Sequence, residues 1–187
     1  MTDDELVGSV THHLRALLAM IAGYCELALT RDDPALRTEA SAAVGTAVAE
    51  LADDIDEVIL ALELAWESWA RTETVSVDLR RAAEEVVLLR PSEWRASVAS
   101  GGEEVWALGD LEAIRRTLQA LLRAAGPDAV VHLGAGVKTV TVAIEAAAPV
   151  RLEDEELRLR NARRLADLLL GSVRVEGARL ELELPAG

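Results

Sequence analysis

Phenylalanine is absent from this chain of 187 residues, and aromatic residues amount to only 3%. Hydrophobic residues still make up 51% of the sequence, so a core can form, but it has to consist mainly of leucine, valine and alanine. A chain of this length folds as one medium-sized domain or as two small ones. The shortage of aromatic residues therefore restricts the packing of the core without excluding a globular fold.

Basic residues are scarce as well. Lysine and arginine together number 19 against 33 acidic residues, which gives a formal net charge of -14. A nucleic-acid partner is not expected, because binding to a phosphate backbone requires a basic patch. The negative charge is interpreted mainly as a source of solubility. The acidic cluster within residues 53–57 is interpreted as a solvated helix face, which could alternatively steer a basic partner.

Cysteine occurs once, as Cys25, so no disulfide can form within the chain, and a reducing cytoplasm is the expected location. No apolar run reaches the roughly 18 residues that a membrane-spanning helix requires. The amino-terminal sequence MTDDELVG is acidic, which argues against a secretory signal peptide. We therefore expect a cytoplasmic protein without a membrane partner.

Two heptad patterns occupy the first 72 residues, on either side of the sequence DDP at positions 32–34. The first pattern comprises Val7, Val10, Leu14, Leu17, Ile21, Tyr24 and Ala28. The second pattern comprises Val48, Leu51, Ile55, Val58, Leu62, Ala65 and Trp69. Each pattern predicts a helix, and the short connection predicts an antiparallel hairpin. Because a hairpin leaves half of each seam uncovered, a homodimeric four-helix bundle is expected.

The rest of the chain alternates between strand and helix patterns. Strands are predicted at 74–78, 95–99, 104–108, 130–133, 139–144, 172–176 and 179–184. Helices are predicted at 79–89, from the cap Asp110 to about residue 125, and at 157–170, where Gly171 ends the helix. The expected result is an α+β fold in which three helices cover one face of a mixed sheet. The domain boundary is placed between a hairpin at 1–72 and a sheet domain at 73–187.

Two of the three histidines, His12 and His13, are adjacent in the first predicted helix. Neighbouring helical residues point about 100° apart, so the pair is poorly placed to chelate one metal ion. A zinc site on a helix uses spacing i, i+4, and no metal site is expected. With Leu14 in the seam, His12 lies on the water-facing side and His13 flanks the seam. An exposed imidazole there is either a solvated surface group or a nucleophile for a substrate that arrives on another protein.

Three segments together resemble the histidine kinases of two-component signalling. HHLRALLAMIAGY resembles the phosphoacceptor box, in which His12 takes the phosphoacceptor place and Leu14, Arg15 and Leu18 match the pattern. GDLEAIRRTLQALLRAA resembles the asparagine box, and RRLADLLLGSVRVEGARLELELP resembles the last helix and hairpin of the ATP-binding domain. The resemblance covers nearly the whole chain in the family's order. It implies a dimeric helical hairpin followed by an ATP-binding domain.

The sequence differs from the family's motifs at several residues that carry out the family's chemistry. The acid that follows the phosphoacceptor is replaced by His13, the Thr or Asn used in dephosphorylation by Ala16, and the proline by Leu17. The magnesium-binding asparagine falls at Ala124. We expect the kinase chemistry to be lost at these positions.

The nucleotide-binding loops depart from the pattern too. The adenine-binding Asp-x-Gly-x-Gly box falls on the sequence AAAPV at 146–150, and the second glycine box falls at Glu156 and Arg158. Only four residues lie between Val150 and Glu155, so the ATP lid is expected to be deleted. Triphosphate binding needs backbone N–H groups, small residues and a metal, and Glu156 would repel it. No ATP and no other cofactor is therefore expected.

The resemblance then implies an ATP-independent histidine phosphotransferase, which relays a phosphoryl group between response-regulator receiver domains through His12. The receiver would supply magnesium, because phosphoryl transfer depends mostly on positioning and charge neutralisation. Arg15, one turn after His12, would steady the phosphate, or it is an ordinary surface arginine. His13 remains the alternative phosphoacceptor.

The expected receiver-binding face of the first helix consists of small residues and two flanking polar ones. It comprises His13, Ala16, Ala19, Gly23 and Glu26. Three alternative functions remain at this stage: a non-catalytic pseudokinase or adaptor that regulates a receiver or kinase, an active kinase with an unusual nucleotide site, and a dimerisation module. Near the end of the second helix, Trp66 and Trp69 are expected either in the core or as a clamp between the domains.

Overall fold

The computed structural model describes residues 3–30, 33–65, 73–89, 95–99, 104–151 and 156–187, and for residues 3–13, 65 and 156 it describes the backbone alone. Trp66 and Trp69 lie outside the described residues, so the expectation for them stays a prediction. The chain divides into two compact units, Met1–Glu63 and Leu64–Gly187. In the part of the chain that the structure describes, every helix is too short or too polar to cross a membrane.

The first unit consists of helix α1 (Asp3–Thr30) and helix α2 (Pro34–Ala65), and the predicted helical hairpin is confirmed. Asp33 begins the second helix: its Oδ1 accepts a hydrogen bond from the backbone N–H of Ala35 at 2.9 Å. Pro34 follows as the first helical residue, where its missing N–H costs no hydrogen bond. The sequence DDP therefore breaks one helix and starts the next.

In the hairpin, the predicted apolar stripe of α1 lies on the covered side, whereas only part of the apolar stripe predicted for α2 is covered. On α1, Leu17 is 3% exposed, and the other described members of its stripe are half-buried. On α2, Ala40 and Ala47 are buried, whereas Val48 and Ile55 are exposed. The buried and half-buried residues of α2 are Ala40, Ala43, Val44, Ala47, Leu51, Asp53, Asp54, Glu57, Val58, Leu60, Ala61 and Leu64. The predicted seam therefore holds for Leu51 and Val58 and is wrong for Val48, Ile55 and Leu62, which are exposed, whereas Leu60, outside the predicted pattern, is 3% exposed.

The described residues of the second unit form ten elements, which agree with the predicted ones in type and order. They are β1 (Val75–Asp78), α3 (Leu79–Leu88), β2 (Ser97–Val98), β3 (Trp106–Gly109), α4 (Leu111–Ala125), β4 (Val130–Ala135), β5 (Thr139–Glu145), α5 (Glu156–Leu168), β6 (Ser172–Glu176) and β7 (Arg179–Pro185). Two aspartates cap helices, as their type favours. Asp78 accepts from the N–H groups of Arg80 and Arg81, and Asp110 accepts from those of Glu112 and Ala113.

Five strands form a mixed sheet in the order β2-β4-β5-β7-β6, in which only the pairing of β2 with β4 is parallel. Strands β1 and β3 form a separate two-stranded antiparallel sheet. The prediction of one mixed sheet therefore holds for five of the seven strands. Strand patterns indicate which residues face a core, but they do not determine which strands pair.

The core of the second unit lies between the sheet and its helices. Helix α4 packs on β5 and β7, α3 packs on β2 and β4, and α5 packs on α4 and β6. The sheet contributes Val142 and Leu182, and α4 and α5 contribute Leu118 and Leu165, all of them fully buried. The opposite face of the sheet is polar, as at Glu145, where His132 Nε2 lies 3.6 Å from Oε2. The α+β architecture expected from the sequence is confirmed.

Candidate functional site

The two adjacent histidines lie within α1, whose backbone is helical from Asp3 to Thr30. Their side chains lie outside the described part of the structure, so their places follow from the register of the helix. The covered stripe of α1 runs through Leu14, Leu17 and Ile21. At about 100° per residue, position 12 lies roughly 160° from the centre of that stripe, and position 13 lies about 60° from it. Position 12 is therefore on the outer face of α1.

The outer face continues from position 12 toward the connection of the hairpin. Arg15, Ala16, Ala19, Gly23 and Glu26 are all exposed. A Cβ atom built at Gly23 would meet no other atom within 4 Å. The structure thus brings the predicted site residues for which it describes side chains onto one accessible, mostly small-residue face. Their roles in transfer and in partner binding stay predictions.

The acidic cluster of α2 is in fact partly covered. Glu57 is only 6% exposed, Asp53 and Asp54 are half-buried, and Asp56 is exposed. The expectation of a solvated face is therefore wrong for Glu57 and holds for Asp56. No signal in the sequence marks this burial, because acidic residues are mostly exposed.

The positions that the resemblance assigns to nucleotide binding lie in the second unit. Ala124 is 8% exposed near the end of α4. The 146–150 loop runs beside the turn between β6 and β7, because the N–H of Ala146 donates to the Ala178 carbonyl at 2.8 Å and that of Val150 donates to the Gly177 carbonyl at 3.0 Å. The loop contains no carboxylate, and its only functional groups are those of the backbone. The 152–155 segment lies outside the described residues.

A cluster of ionised side chains around Glu85 links α3 to α4. Glu85 forms side-chain hydrogen bonds with Arg115 and Arg81. These hydrogen bonds, that with Arg115 first, lower the pKa of the Glu85 carboxyl below its usual value of 4.5. Elsewhere among the described residues, no three histidine, cysteine or acidic side chains converge as a metal site would require. The Glu85 cluster is best explained as a link between two helices.

Comparison with solved structures identifies the architecture. The chain is similar to the histidine kinase AdeS of Acinetobacter baumannii, with a TM-score of 0.63 and 15% identity over 94% of this chain and 97% of that one. It is similar to the histidine kinase ThkA in complex with the response regulator TrrA, with a TM-score of 0.66 and 19% identity over 98% of this chain and 61% of that one.

The second unit also has a solved counterpart of its own size. The ATP-binding domain of PrrB from Mycobacterium tuberculosis is matched with a TM-score of 0.51 and 21% identity, over 62% of this chain and 99% of that one. No protein-family model matches the sequence, and no curated protein does. At these identities the similarity concerns the fold. The fold is histidine-kinase-like, with a helical hairpin followed by a sheet domain like that of such kinases.

Proposed function

We propose that this protein is an ATP-independent histidine phosphotransferase of two-component signalling. His12 would accept a phosphoryl group from the aspartyl phosphate of one receiver domain and pass it to the aspartate of another. One observation carries the proposal. A histidine-kinase-like fold covers nearly the whole chain, and the motif resemblance assigns His12 to the phosphoacceptor place but puts alanines, at Ala124 and at 146–148, where a kinase would hold its nucleotide.

The chemistry of this transfer makes few demands on the protein. The lone pair of a neutral imidazole nitrogen of His12 forms the P–N bond while the P–O bond to the receiver aspartate breaks and its carboxylate leaves. The proton on the other ring nitrogen is retained during this step. Magnesium held by the receiver would neutralise the phosphoryl charge. Because such transfer depends mainly on alignment and electrostatic stabilisation, a histidine on the outer face of a helix can serve as the acceptor.

A response-regulator receiver is the partner that fits the outer face of α1. The solved ThkA structure is that of a histidine kinase in complex with a response regulator. In the present chain, Ala16, Ala19 and Gly23 are exposed and leave a shallow surface on which a helix can lie. Arg15 and Glu26, also exposed, offer one charge of each sign beside it. These features support docking of a receiver helix next to His12.

A second copy of the chain is proposed to cover the apolar side of the hairpin. Val48, Ile55, Ile59 and Leu62 are each at least 44% exposed along α2, and Leu18 of α1 is 54% exposed. On antiparallel helices, these positions fall on the same side of the hairpin. An apolar stripe of this length is typical of an interaction surface. Pairing two hairpins would produce a four-helix bundle.

The test is phosphotransfer from labelled receiver domains, charged with acetyl phosphate, to the purified protein. We expect acid-labile label on the wild-type protein and on His13→Ala, and none on His12→Ala. Transfer should proceed without ATP, and labelled ATP alone should leave the protein unlabelled. Label that persists in His12→Ala would overturn the assignment, and label obtained from ATP would show a kinase instead.

A non-catalytic adaptor is the second candidate function. It is favoured by Ala16 and His13, which stand where the family has the residues for dephosphorylation and for proton transfer. The same exposed face would then bind a receiver and regulate it without carrying phosphate. Binding to a receiver that survives His12→Ala, with no labelled wild-type protein, would identify this function.

A further inference from the structure

The small sheet formed by β1 and β3 has one buried face and one exposed face. Val77 and Ala107 are partners in the ladder, and both are buried. Residues that are paired in an antiparallel ladder lie on the same face, and successive residues alternate between the faces. The other face therefore comprises Ser76, Asp78, Trp106 and Leu108. Its two large side chains are accessible to solvent, since Trp106 is 40% and Leu108 45% exposed.

The indole of Trp106 is presented by a well-anchored stretch of backbone. On one side, Trp106 pairs with Asp78 in the ladder. On the other side, its carbonyl accepts a hydrogen bond from the N–H of Gly187 at 2.8 Å. The indole Nε1 donates to Oε2 of Glu104 at 3.3 Å, which orients the ring. A side chain that is already oriented loses little conformational entropy when it binds a partner.

Two carboxylates flank the exposed indole. Glu104 is exposed, and one of its oxygens contacts the ring N–H. Asp78 is half-buried and lies directly opposite Trp106 on the same face of the ladder. Asp78 also caps α3, but both hydrogen bonds of the cap are accepted by Oδ1. Its second carboxylate oxygen, Oδ2, therefore takes no part in the cap.

The two arginines that follow Asp78 in the chain interact with other groups. Nη1 of Arg80 donates to the Ala99 carbonyl at 3.3 Å, and Nε of Arg81 pairs with Glu85 at 3.1 Å. The potential around Trp106 is therefore dominated by the two carboxylates, in a chain whose net charge is -14. The face of an indole attracts cations as well, because the π-system is electron-rich. Ring and carboxylates together are complementary to a positively charged group.

We propose that Trp106, with Glu104 and Asp78, is a docking site for an arginine side chain of a partner protein. A guanidinium group can stack on the indole and pair with a carboxylate at the same time, because it is planar and more weakly hydrated than the ammonium group of lysine. Leu108, on the same face, would contact an apolar residue beside that arginine. Exposed tryptophans of this kind are typical centres of protein interfaces. The site belongs to the second unit, so the inference goes beyond the phosphotransfer proposed for His12.

The experiment is an NMR titration of the full chain with a blocked tripeptide that carries arginine between two leucines. We expect the indole N–H resonance of Trp106, identified by its loss in Trp106→Leu, to shift saturably. The same peptide with citrulline in place of arginine is the matched neutral probe, and it should bind at least about fivefold more weakly.

Variants of the site test the contribution of each group. In Trp106→Leu, followed through the backbone amide of Leu108, the Kd for the arginine peptide should rise about fivefold. In Glu104→Gln it should rise about two- to threefold, because an exposed ion pair contributes little. Glu84→Gln is the control, since Glu84 is an exposed acid of the same unit, and it should leave the Kd unchanged. Amide spectra establish that each variant remains folded.

Three results would overturn the inference. Equal binding of the arginine and citrulline peptides would show an apolar surface without selectivity for a cation. An unchanged Kd in Trp106→Leu would place the peptide elsewhere. A shift of the Trp106 indole resonance with protein concentration alone would identify a second copy of the chain as the occupant. Because the titration requires neither a receiver nor phosphate, its outcome is independent of the proposed phosphotransfer.

Discussion

Single residues show how backbone geometry ends a helix in this fold. After α5 the chain turns at Leu170, whose φ of 58° lies in the left-handed region. The N–H of Gly171 then donates to the Ala166 carbonyl at 2.8 Å, which closes the last turn of the helix. A Cβ atom at Gly171 would lie 2.3 Å from the Glu183 carbonyl oxygen. Glycine is thus required at 171, whereas at 170 a leucine occupies a conformation that favours glycine.

Replacing that leucine should stabilise the protein. Left-handed backbone costs a non-glycine residue roughly 1 kcal/mol, and Leu170 is 86% exposed, so Leu170→Gly gives up little buried surface. We expect the free energy of unfolding to rise by about 0.5–1 kcal/mol in urea denaturation. The matched control is Leu89→Gly, at another exposed helix end whose φ of -80° is ordinary, and it should bring no gain. A loss of stability in Leu170→Gly would contradict this account of the turn.

At the scale of elements, the Glu85 cluster connects α3 and α4 and depends on pH. Its carboxyl pKa is lowered by Arg115 first and then by Arg81. A lowered carboxyl pKa contributes stability at pH values above the ordinary value of 4.5, and this contribution disappears as the pH falls through the folded-state pKa. The link between the two helices is therefore an acid-sensitive one.

Glu85→Gln tests this link. We expect the variant to be slightly less stable than the wild-type protein at pH 7, and the difference to shrink as the pH falls below 4.5. The effect should be small because the cluster is accessible to solvent. Urea denaturation at several pH values measures it, with Glu84→Gln as the control at an exposed neighbouring position. A difference that stays constant down to the lowest pH would refute the role of the ionised carboxyl.

Elements with strong local signals could be predicted, and those decided by distant partners could not. Asp110 marks the start of α4 because its carboxylate caps the helix locally. Gly171 follows α5, but the residue that requires glycine there is Glu183 of the distant strand β7. The pairing of β1 with β3 depends on contacts between distant segments. On α2, the predicted apolar stripe is only partly covered, and Leu60, which does not belong to it, is buried, so the covered side depends on packing in the folded unit.

The candidate site likewise has features that could be predicted from the sequence and features that could not. The exposed face of Ala16, Ala19 and Gly23 could be read from the heptad register of α1 alone. The burial of Glu57 and of one Asp54 oxygen could not, because acidic residues are mostly exposed and a pattern of charges gives no sign of what covers them. Only the folded structure reveals it.

For the whole molecule, the exposed stripe of α2 predicts self-association. Replacing Ile55 and Ile59 together by glutamate places charges in the proposed interface, so we expect the double variant to be monomeric where the wild-type protein is dimeric. Light scattering coupled to size-exclusion chromatography measures this. Val137→Glu, at a residue of the second unit that is 99% exposed, should leave the dimer intact. A wild-type monomer, or a double variant that still dimerises, would exclude the four-helix bundle.

The central claim is that His12 carries a phosphoryl group, and the most direct measurement is transfer from a panel of labelled receiver domains in the absence of ATP. The account predicts acid-labile label on the wild-type protein and on His13→Ala, with none on His12→Ala. Receivers that bind the wild-type protein but never label it would contradict the claim. The hairpin would then be a docking surface without chemistry.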